Sequence, residues 1–237
     1  MSLPSSDPRP PTTRAVPGYQ LERLLGLGAT GEVWLGRQPG RGTAQTAIKT
    51  LACDDPESRD RLREEGRTLA RLDHPHIVPL LDVVDCAAGV ALVMEYAAGG
   101  SLAELLGQRR LTAGQLVQLA APLADALAYA HGRGVVHADV SPANVLFTSD
   151  GRPLLADFGL AALTGPLRGR AALAGTADYL DPELADGAVP DARADIYALG
   201  VICWEALAGQ RPHAAATPLD VLDRAARADR TPRPTRR

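Results

Sequence analysis

One lysine and a run of glycines are the residues of this chain whose types and spacing could hold a phosphate. Of the 25 basic residues in the 237-residue chain, Lys49 is the single lysine, and the others are arginines. An ammonium is a compact point charge on a flexible stem, whereas a guanidinium is a planar fork, so a solitary lysine indicates a position where the fork does not fit. Taken alone, Lys49 is equally consistent with an exposed strand residue. The neighbouring glycines decide between these two interpretations.

Three glycines, Gly26, Gly28 and Gly31, precede the lysine in a G-x-G-x-x-G pattern. This pattern also opens the helix of a dinucleotide-binding unit, in which an acidic residue follows about 20 positions later. Here Val33 follows instead, and the flanking stretches have the composition of strands. Two strands joined by glycines form a flap whose backbone can approach phosphates closely, because glycine has no Cβ. We therefore predict a phosphate-binding flap and not a dinucleotide-binding helix.

Further motifs follow in the second half of the chain. HADVSPAN occupies residues 137–144 and DFG occupies residues 157–159. A Gly-Thr pair stands at 175–176, a Pro-Glu pair at 182–183, and a D-x-x-x-x-G segment at 195–200. In this order, the motifs resemble those of the eukaryotic-type (Hanks-type) serine/threonine protein kinase family in its bacterial form.

The resemblance covers residues 19–213 and implies an α+β, bilobal protein-kinase-like fold. A small β-sheet lobe with one helix is expected at residues 18–96. A larger, mainly helical lobe is expected at residues 97–226, and it looks shortened at its C-terminal end. Residues 1–17 are rich in Pro, Ser and Thr and are predicted to form a disordered leader, and residues 227–237 a disordered basic tail.

The resemblance also implies roles for individual residues. Asp139 would accept the proton of the substrate hydroxyl, and Asn144 and Asp157 would hold Mg²⁺ through oxygen ligands. His137 is interpreted as a packing residue and not as an acid or base. The residues that the resemblance places around ATP are Gly26, Gly28, Gly31, Val33, Ala47, Lys49, Met94, Glu95, Ala97 and Leu146.

Lys49 would also form a catalytic ion pair with a glutamate of the helix predicted at residues 57–72. Three leucines of that stretch lie at helical spacing from Glu65, which places Glu65 near the inward face of the helix. Glu65 is therefore the first candidate, and Glu64 is the alternative.

Ser141 stands where the family usually has a lysine, two residues after the catalytic aspartate. The loss of that ammonium removes a charge that would stabilise the transferring phosphoryl group. We therefore expect slow protein kinase activity. A pseudokinase that binds nucleotide or protein is the alternative. Small-molecule phosphotransferases, which also lack this lysine, are a third candidate, but they lack the Gly-Thr, Pro-Glu and D-x-x-x-x-G segments.

Ala138 stands where the family usually has an arginine that receives a phosphate on the activation segment. Between Asp157 and Glu183, the hydroxyl residues are Thr164, Thr176 and Tyr179. Thr176 and Tyr179 belong to the stretch expected to dock the substrate. We therefore predict a kinase that is not switched on by phosphorylation of this segment.

The composition agrees with a soluble intracellular protein, which we assign to the cytoplasm, and the resemblance implies a protein substrate. A net charge of −3 does not indicate a nucleic-acid or membrane partner, and it specifies no oligomeric state. The three cysteines have no ligand spacing. A leucine pattern at 116–127 predicts one long helix containing Pro122, and a second helix is predicted at 194–208, ending at Gly209.

Overall fold

The computed structural model describes residues 15–28, 31–40, 42–53, 55–158, 177–185 and 189–212. By their internal contacts, these residues form two compact units. The first unit contains the chain up to residue 67 together with residues 80–96. The second contains residues 68–79 together with the chain from residue 97 onward. Residues 68–79 therefore pack with the second unit, although the sequence alone groups them with the first.

The secondary structure follows the predicted division into a β-rich and a helical part. The strands are β1 (Gln20–Gly28), β2 (Gly31–Arg37), β3 (Gln45–Ala52), β4 (Leu80–Cys86), β5 (Gly89–Glu95), β6 (Val145–Phe147) and β7 (Pro153–Leu155). The helices are α1 (Pro56–Leu69), α2 (Leu102–Gln108), α3 (Ala113–His131), α4 (Pro182–Ala185) and α5 (Ala192–Ala208), with 3₁₀ turns at Pro142–Asn144 and Ala177–Tyr179. In the described residues, no helix combines the length and the apolar character needed to cross a membrane.

The first unit is built on an antiparallel five-stranded sheet in the order β1-β2-β3-β5-β4. On one face, Ile48 and Val93 pack with Cys86 and with Val16, which is only 3 % exposed. Val16 lies within the predicted disordered leader. The folded part of the chain therefore begins before residue 18, and the leader was predicted too long, because an isolated valine in a Pro-rich stretch gives no signal of its burial.

Helix α1 approaches the other face of this sheet at Gly66. A Cβ atom at this position would lie 2.9 Å from a methyl of Val83 and 3.3 Å from a methyl of Leu92. The helix thus lies as close to the sheet as a residue without a side chain permits. Arg63 reinforces the contact, because its guanidinium donates to both carboxylate oxygens of Asp85 at 2.9 and 2.7 Å.

Helices α3 and α5 form the centre of the second unit. The predicted leucine stripe of α3 is buried, with Leu119 at 6 % exposure and Leu123 and Leu127 at 0 %. The helix is continuous across Pro122, and it begins at a capping box formed by Thr112. The prediction of one long amphipathic helix is therefore confirmed.

Helix α5 has both of its ends specified by local sequence. Asp191 caps the N-terminus by accepting the N–H of Arg193 at 2.8 Å. Gly209 ends the helix in the left-handed conformation, with a φ of 72°. The helix predicted to end at Gly209 is confirmed, and it starts two residues earlier than predicted, at Ala192.

Candidate active site

Lys49 lies on one face of the sheet together with other residues predicted to surround the nucleotide. Val33 is opposite Lys49 across β2 and β3, and Ala47 is opposite Met94 across β3 and β5. Directly opposite residues point to the same face, as do residues two apart in a strand. That face therefore carries four of the predicted residues: Val33, Ala47, Lys49 and Met94. Lys49 is 5 % exposed, so the interpretation as an exposed strand residue was wrong.

The glycines of the predicted flap close the ladder between β1 and β2, where Gly28 pairs with Gly31 and Gly26 with Val33. Gly31 has a φ of 148°, and a Cβ atom there would lie 1.9 Å from the carbonyl oxygen of Thr50. Only glycine fits at this position. Residues 29 and 30 lie outside the described residues.

The remaining predicted nucleotide residues are Glu95, Ala97 and Leu146. Glu95 is the exposed last residue of β5. Ala97 begins the next stretch of chain and is half-buried. Leu146 is the half-buried central residue of β6, in the second unit.

The two candidate glutamates of α1 differ in exposure. Glu64 is exposed and lies 3.4 Å from Arg67, whereas Glu65 is half-buried. Burial raises the pKa of Glu65, and the charge of Arg61 offsets this only in part. An ammonium in contact with the Glu65 carboxylate would lower the pKa of Glu65. Glu65 thus lies on the more buried side, as predicted, while its ion pair with Lys49 stays a prediction.

Asp195 of α5 holds the backbone of the HADVSPAN motif, residues 137–144, which the resemblance implies to be the catalytic loop. Its Oδ2 accepts the N–H of His137 and its Oδ1 accepts the N–H of Ala138, both at 2.8 Å. The Nε2 of His131, at the end of α3, lies 2.7 Å from Oδ2. A carboxylate that is 1 % exposed needs such partners to offset its desolvation. The resemblance indicated Asp195, but no sequence signal identified His131 as a third partner.

Asp139 and Asn144 are joined by two hydrogen bonds within the HADVSPAN motif. The Nδ2 of Asn144 donates to the main-chain oxygen of Asp139 at 2.8 Å and to its Oδ2 at 3.0 Å. The 3₁₀ turn at Pro142–Asn144 brings the amide back to the aspartate. The side chain of the predicted base is thus oriented by its own loop.

His137 is a packing residue, as the sequence predicted. It is fully buried, its Nδ1 accepts the N–H of Asp139 at 3.3 Å, and its Nε2 lies 2.9 Å from the carbonyl oxygen of Ala156. With these partners, Nδ1 is the acceptor and Nε2 is the donor of the ring. The ring of Phe158 packs against it with 4.4 Å between centroids.

Asn144 and Asp157 have the donor chemistry that Mg²⁺ prefers. The amide nitrogen of Asn144 is committed to Asp139, which leaves its amide oxygen as a hard ligand, and Asp157 supplies a carboxylate. The N–H of Ala156 donates to the main-chain oxygen of Asn144 at 2.9 Å, so the same hairpin positions both residues. The oxygen atoms that Asn144 and Asp157 offer therefore fit a hard cation such as Mg²⁺.

The turn at Ala177–Tyr179 belongs to the stretch that the resemblance implies to dock the substrate. The hydroxyl of Tyr179 donates to Oε2 of Glu205 at 2.6 Å, and Tyr179 is 8 % exposed. Burial, together with the bond to Glu205, raises the pKa of the Tyr179 phenol. Asp178 forms an ion pair with Arg211. No sequence signal identified Glu205 or Arg211 as these partners.

The residues at the two departures from the family pattern have different surroundings. Ser141 is 5 % exposed and precedes the 3₁₀ turn in an extended conformation. Ala138 is left-handed, with a φ of 61°. Thr164 and Thr176 lie outside the described residues, as does the side chain of Glu183.

The buried lysine in the first unit and the aspartate–asparagine loop in the second are each features of the protein kinase class. The profile of the protein kinase domain matches residues 19–231, and the chain therefore belongs to that family. The match extends beyond residue 213, where the resemblance read from the sequence was expected to end. The residues after 213 carry no recognisable motif, which is why the end was placed too early.

Similar proteins come from bacteria. The serine/threonine-protein kinase PkaB of Streptomyces coelicolor is 41 % identical over 217 residues, which cover 87 % of this chain and 52 % of PkaB. The serine/threonine-protein kinase PknJ of Mycobacterium tuberculosis is 36 % identical over 207 residues, which cover 84 % of this chain and 35 % of PknJ. The chain thus spans about half, or less, of the length of these relatives.

The fold has a solved counterpart in the PknI kinase domain of Mycobacterium tuberculosis. Its crystal structure matches with a TM-score of 0.68 and 35 % identity, and the match covers 91 % of this chain and 81 % of that one. The α+β protein kinase fold predicted from the sequence is therefore confirmed.

Proposed function

We propose that this chain is an ATP-dependent protein kinase that transfers the γ-phosphate to serine and threonine hydroxyls of protein substrates. The observation that carries the proposal is the orientation of Asp139 by Asn144, in a loop whose backbone is held by Asp195. The names of the relatives, which are serine/threonine-protein kinases, support the same reaction. Because ATP and Mg²⁺ are abundant in the cytoplasm, we assign the protein to that compartment.

In the proposed reaction, the substrate hydroxyl oxygen forms a bond to the γ-phosphorus, and the bond from that phosphorus to the β,γ-bridging oxygen breaks. ADP leaves, and Asp139 accepts the hydroxyl proton. Lys49 binds the α- and β-phosphates and pairs with Glu65 in the active arrangement. Asn144 and Asp157 would hold Mg²⁺, which would supply positive charge to neutralise the phosphates.

The rate and the regulation follow from the two departures in the catalytic loop. Ser141 has no charge to offer the transferring phosphoryl group, so transfer is slow. Ala138 cannot bind a phosphate on the activation segment, so the kinase works without one. Replacing Thr164 by alanine then leaves the activity unchanged. A large loss of activity, with phosphate found on Thr164 by mass spectrometry, would contradict this.

The alternative is a pseudokinase, favoured by the same two departures and by the raised pKa of Glu65. Thermal-shift titration with Mg-ATP, followed by a γ-phosphate transfer assay on a generic protein acceptor, separates the two. The kinase binds Mg-ATP and transfers phosphate, and Asp139→Asn abolishes the transfer. Binding without transfer above the Asp139→Asn background supports the pseudokinase.

A further inference from the structure

Two side-chain contacts attach the substrate-docking turn to the end of α5. One is the bond from Tyr179 to Glu205, and the other is the ion pair between Asp178 and Arg211. Arg211 follows the last residue of α5 by three positions. The tyrosine contact is buried, whereas the ion pair is half-exposed, with 19 % exposure for the Asp178 side chain and 40 % for Arg211. A solute that reaches the turn can therefore reach this pair.

The turn lies beside the catalytic base. The residues that follow Asp178, from Tyr179 to Asp181, line a small pocket of about 20 Å³ together with Ala138 and Asp139. Asp178 directly precedes Tyr179, which lines this pocket together with Asp139. A peptide whose hydroxyl reaches Asp139 passes close to this turn.

A carboxylate in this position attracts arginine, because a guanidinium donates two parallel hydrogen bonds to it. In this chain, Arg211 already supplies the guanidinium, and the pair has no net charge. A substrate arginine would have to displace Arg211 to use Asp178, and it would gain little by the exchange. The local charge seen by the substrate is therefore set by a residue outside the HADVSPAN and DFG motifs.

We propose that Arg211 is a specificity-determining residue, whose guanidinium occupies the Asp178 carboxylate that would otherwise recruit an arginine of the substrate. The protein thus accepts peptides that lack a basic residue near the phosphoacceptor serine or threonine. The proposal rests on the proposed function, because it takes the peptide site to be that of the kinase reaction. It concerns peptide binding, so it can be tested without phosphate transfer.

The test measures the binding of fluorescent peptides by anisotropy in the absence of ATP. Each peptide has one serine in an alanine background, and the set carries a single arginine at each flanking position in turn. The parent chain binds the arginine peptides no more tightly than the all-alanine peptide. Arg211→Gln binds at least one of them about two- to fivefold more tightly, the size of one half-exposed ion pair. Arg211→Lys, which keeps the charge, behaves like the parent.

A second variant identifies the carboxylate. In the double variant Arg211→Gln/Asp178→Asn, the gain for arginine peptides disappears, because no charge remains to attract them. Asp178→Asn alone leaves the Arg211 charge uncompensated and weakens the binding of arginine peptides. The same arginine response in the parent, in Arg211→Gln and in the double variant would overturn the proposal. Phosphate transfer to a generic acceptor is measured separately: its failure removes the proposed function, whereas the binding profile alone decides the role of Arg211.

Discussion

The backbone N–H of Ala138 donates a 2.8 Å hydrogen bond to Oδ1 of Asp195, and it does so from a left-handed conformation with a φ of 61°. In any residue other than glycine, this conformation brings Cβ too close to the following carbonyl oxygen, and it costs about 1–2 kcal/mol. Asp195, fully buried, thus fixes an unfavourable backbone geometry at the residue next to Asp139.

The first prediction concerns this conformation. Ala138→Gly removes the crowding and adds unfolded-state entropy, and we expect a net rise of about 0.5–1 kcal/mol in the free energy of unfolding. Ala143→Gly is the matched control, because Ala143 is exposed and lies in the 3₁₀ turn. The control should lower the free energy of unfolding. Urea titration of both variants gives the comparison, and a loss of stability in both would contradict the prediction.

The second prediction concerns the solitary lysine. Lys49 is 5 % exposed and lies on the same face as Val33 and Ala47, so an arginine there would have to bury its larger, planar guanidinium. We expect Lys49→Arg to weaken Mg-ATP binding about tenfold or more although the charge is kept. Isothermal titration calorimetry measures this, with Arg37→Lys on β2 as a control that keeps parent-like affinity. An arginine variant with parent-like binding and turnover would mean that the lysine is not selected for its shape.

The third prediction uses the raised pKa of Glu65. The folded protein binds this proton more tightly than the unfolded chain, so the contribution of Glu65 to stability falls as the pH rises from about 4.3 upward. Glu65→Gln should therefore raise the melting temperature of the nucleotide-free protein at pH 7. Glu64→Gln, at an exposed neighbour paired with Arg67, should not. Equal melting temperatures for the parent and Glu65→Gln at pH 7 would show that this burial has no energetic effect.

The fourth prediction concerns the missing ammonium. Ser141→Lys should raise kcat by about one to two orders of magnitude, if one charge contact stabilises the transition state by ~1.4–2.8 kcal/mol. The KM for ATP should change little, because the effect belongs to the transition state. Ser141 is nearly buried, so Ser141→Met serves as a control for added volume without charge. A similar rate for the parent and the lysine variant would exclude this explanation for slow transfer.

The fifth prediction concerns Tyr179. Tyr179→Phe leaves the part-buried Glu205 carboxylate without its 2.6 Å donor and should lower the free energy of unfolding by about 1–3 kcal/mol at pH 7. The pKa of Tyr179 is raised in the folded state, so the parent loses this stabilisation as the pH rises from about 10 upward. The stability difference between parent and variant should therefore shrink at alkaline pH. A difference that is constant from pH 7 to alkaline pH would argue against the assigned cause.

Sequence alone predicted the elements whose signals are local. The leucine stripe of α3 and the ending of α5 at Gly209 follow from spacing and from a residue that tolerates positive φ. The HADVSPAN motif identified Asp139 and Asn144 through the resemblance, and the hydrogen bond that the structure shows between them spans only five residues.

The missed contacts join residues that are far apart in the chain. Tyr179 and Glu205 are 26 residues apart, and Asp178 and Arg211 are 33 apart. Their meeting depends on where the docking turn lies against α5. Local propensity carries no information about such a pairing. The same reason hides His131, which is 64 residues from Asp195.

The glycine at position 66 makes the distance between α1 and the sheet adjustable by protein engineering. A Cβ at position 66 would lie 2.9 Å from the stiff side chain of Val83. Each atom added there would therefore push α1, the helix that carries Glu65, away from the sheet. A graded series of small residues would move that carboxylate outward in small steps. Trimming Val83 to alanine would restore the original spacing. Changes at Gly66 and Val83 would thus vary the distance of Glu65 from the sheet in steps, without altering any residue predicted to surround the nucleotide.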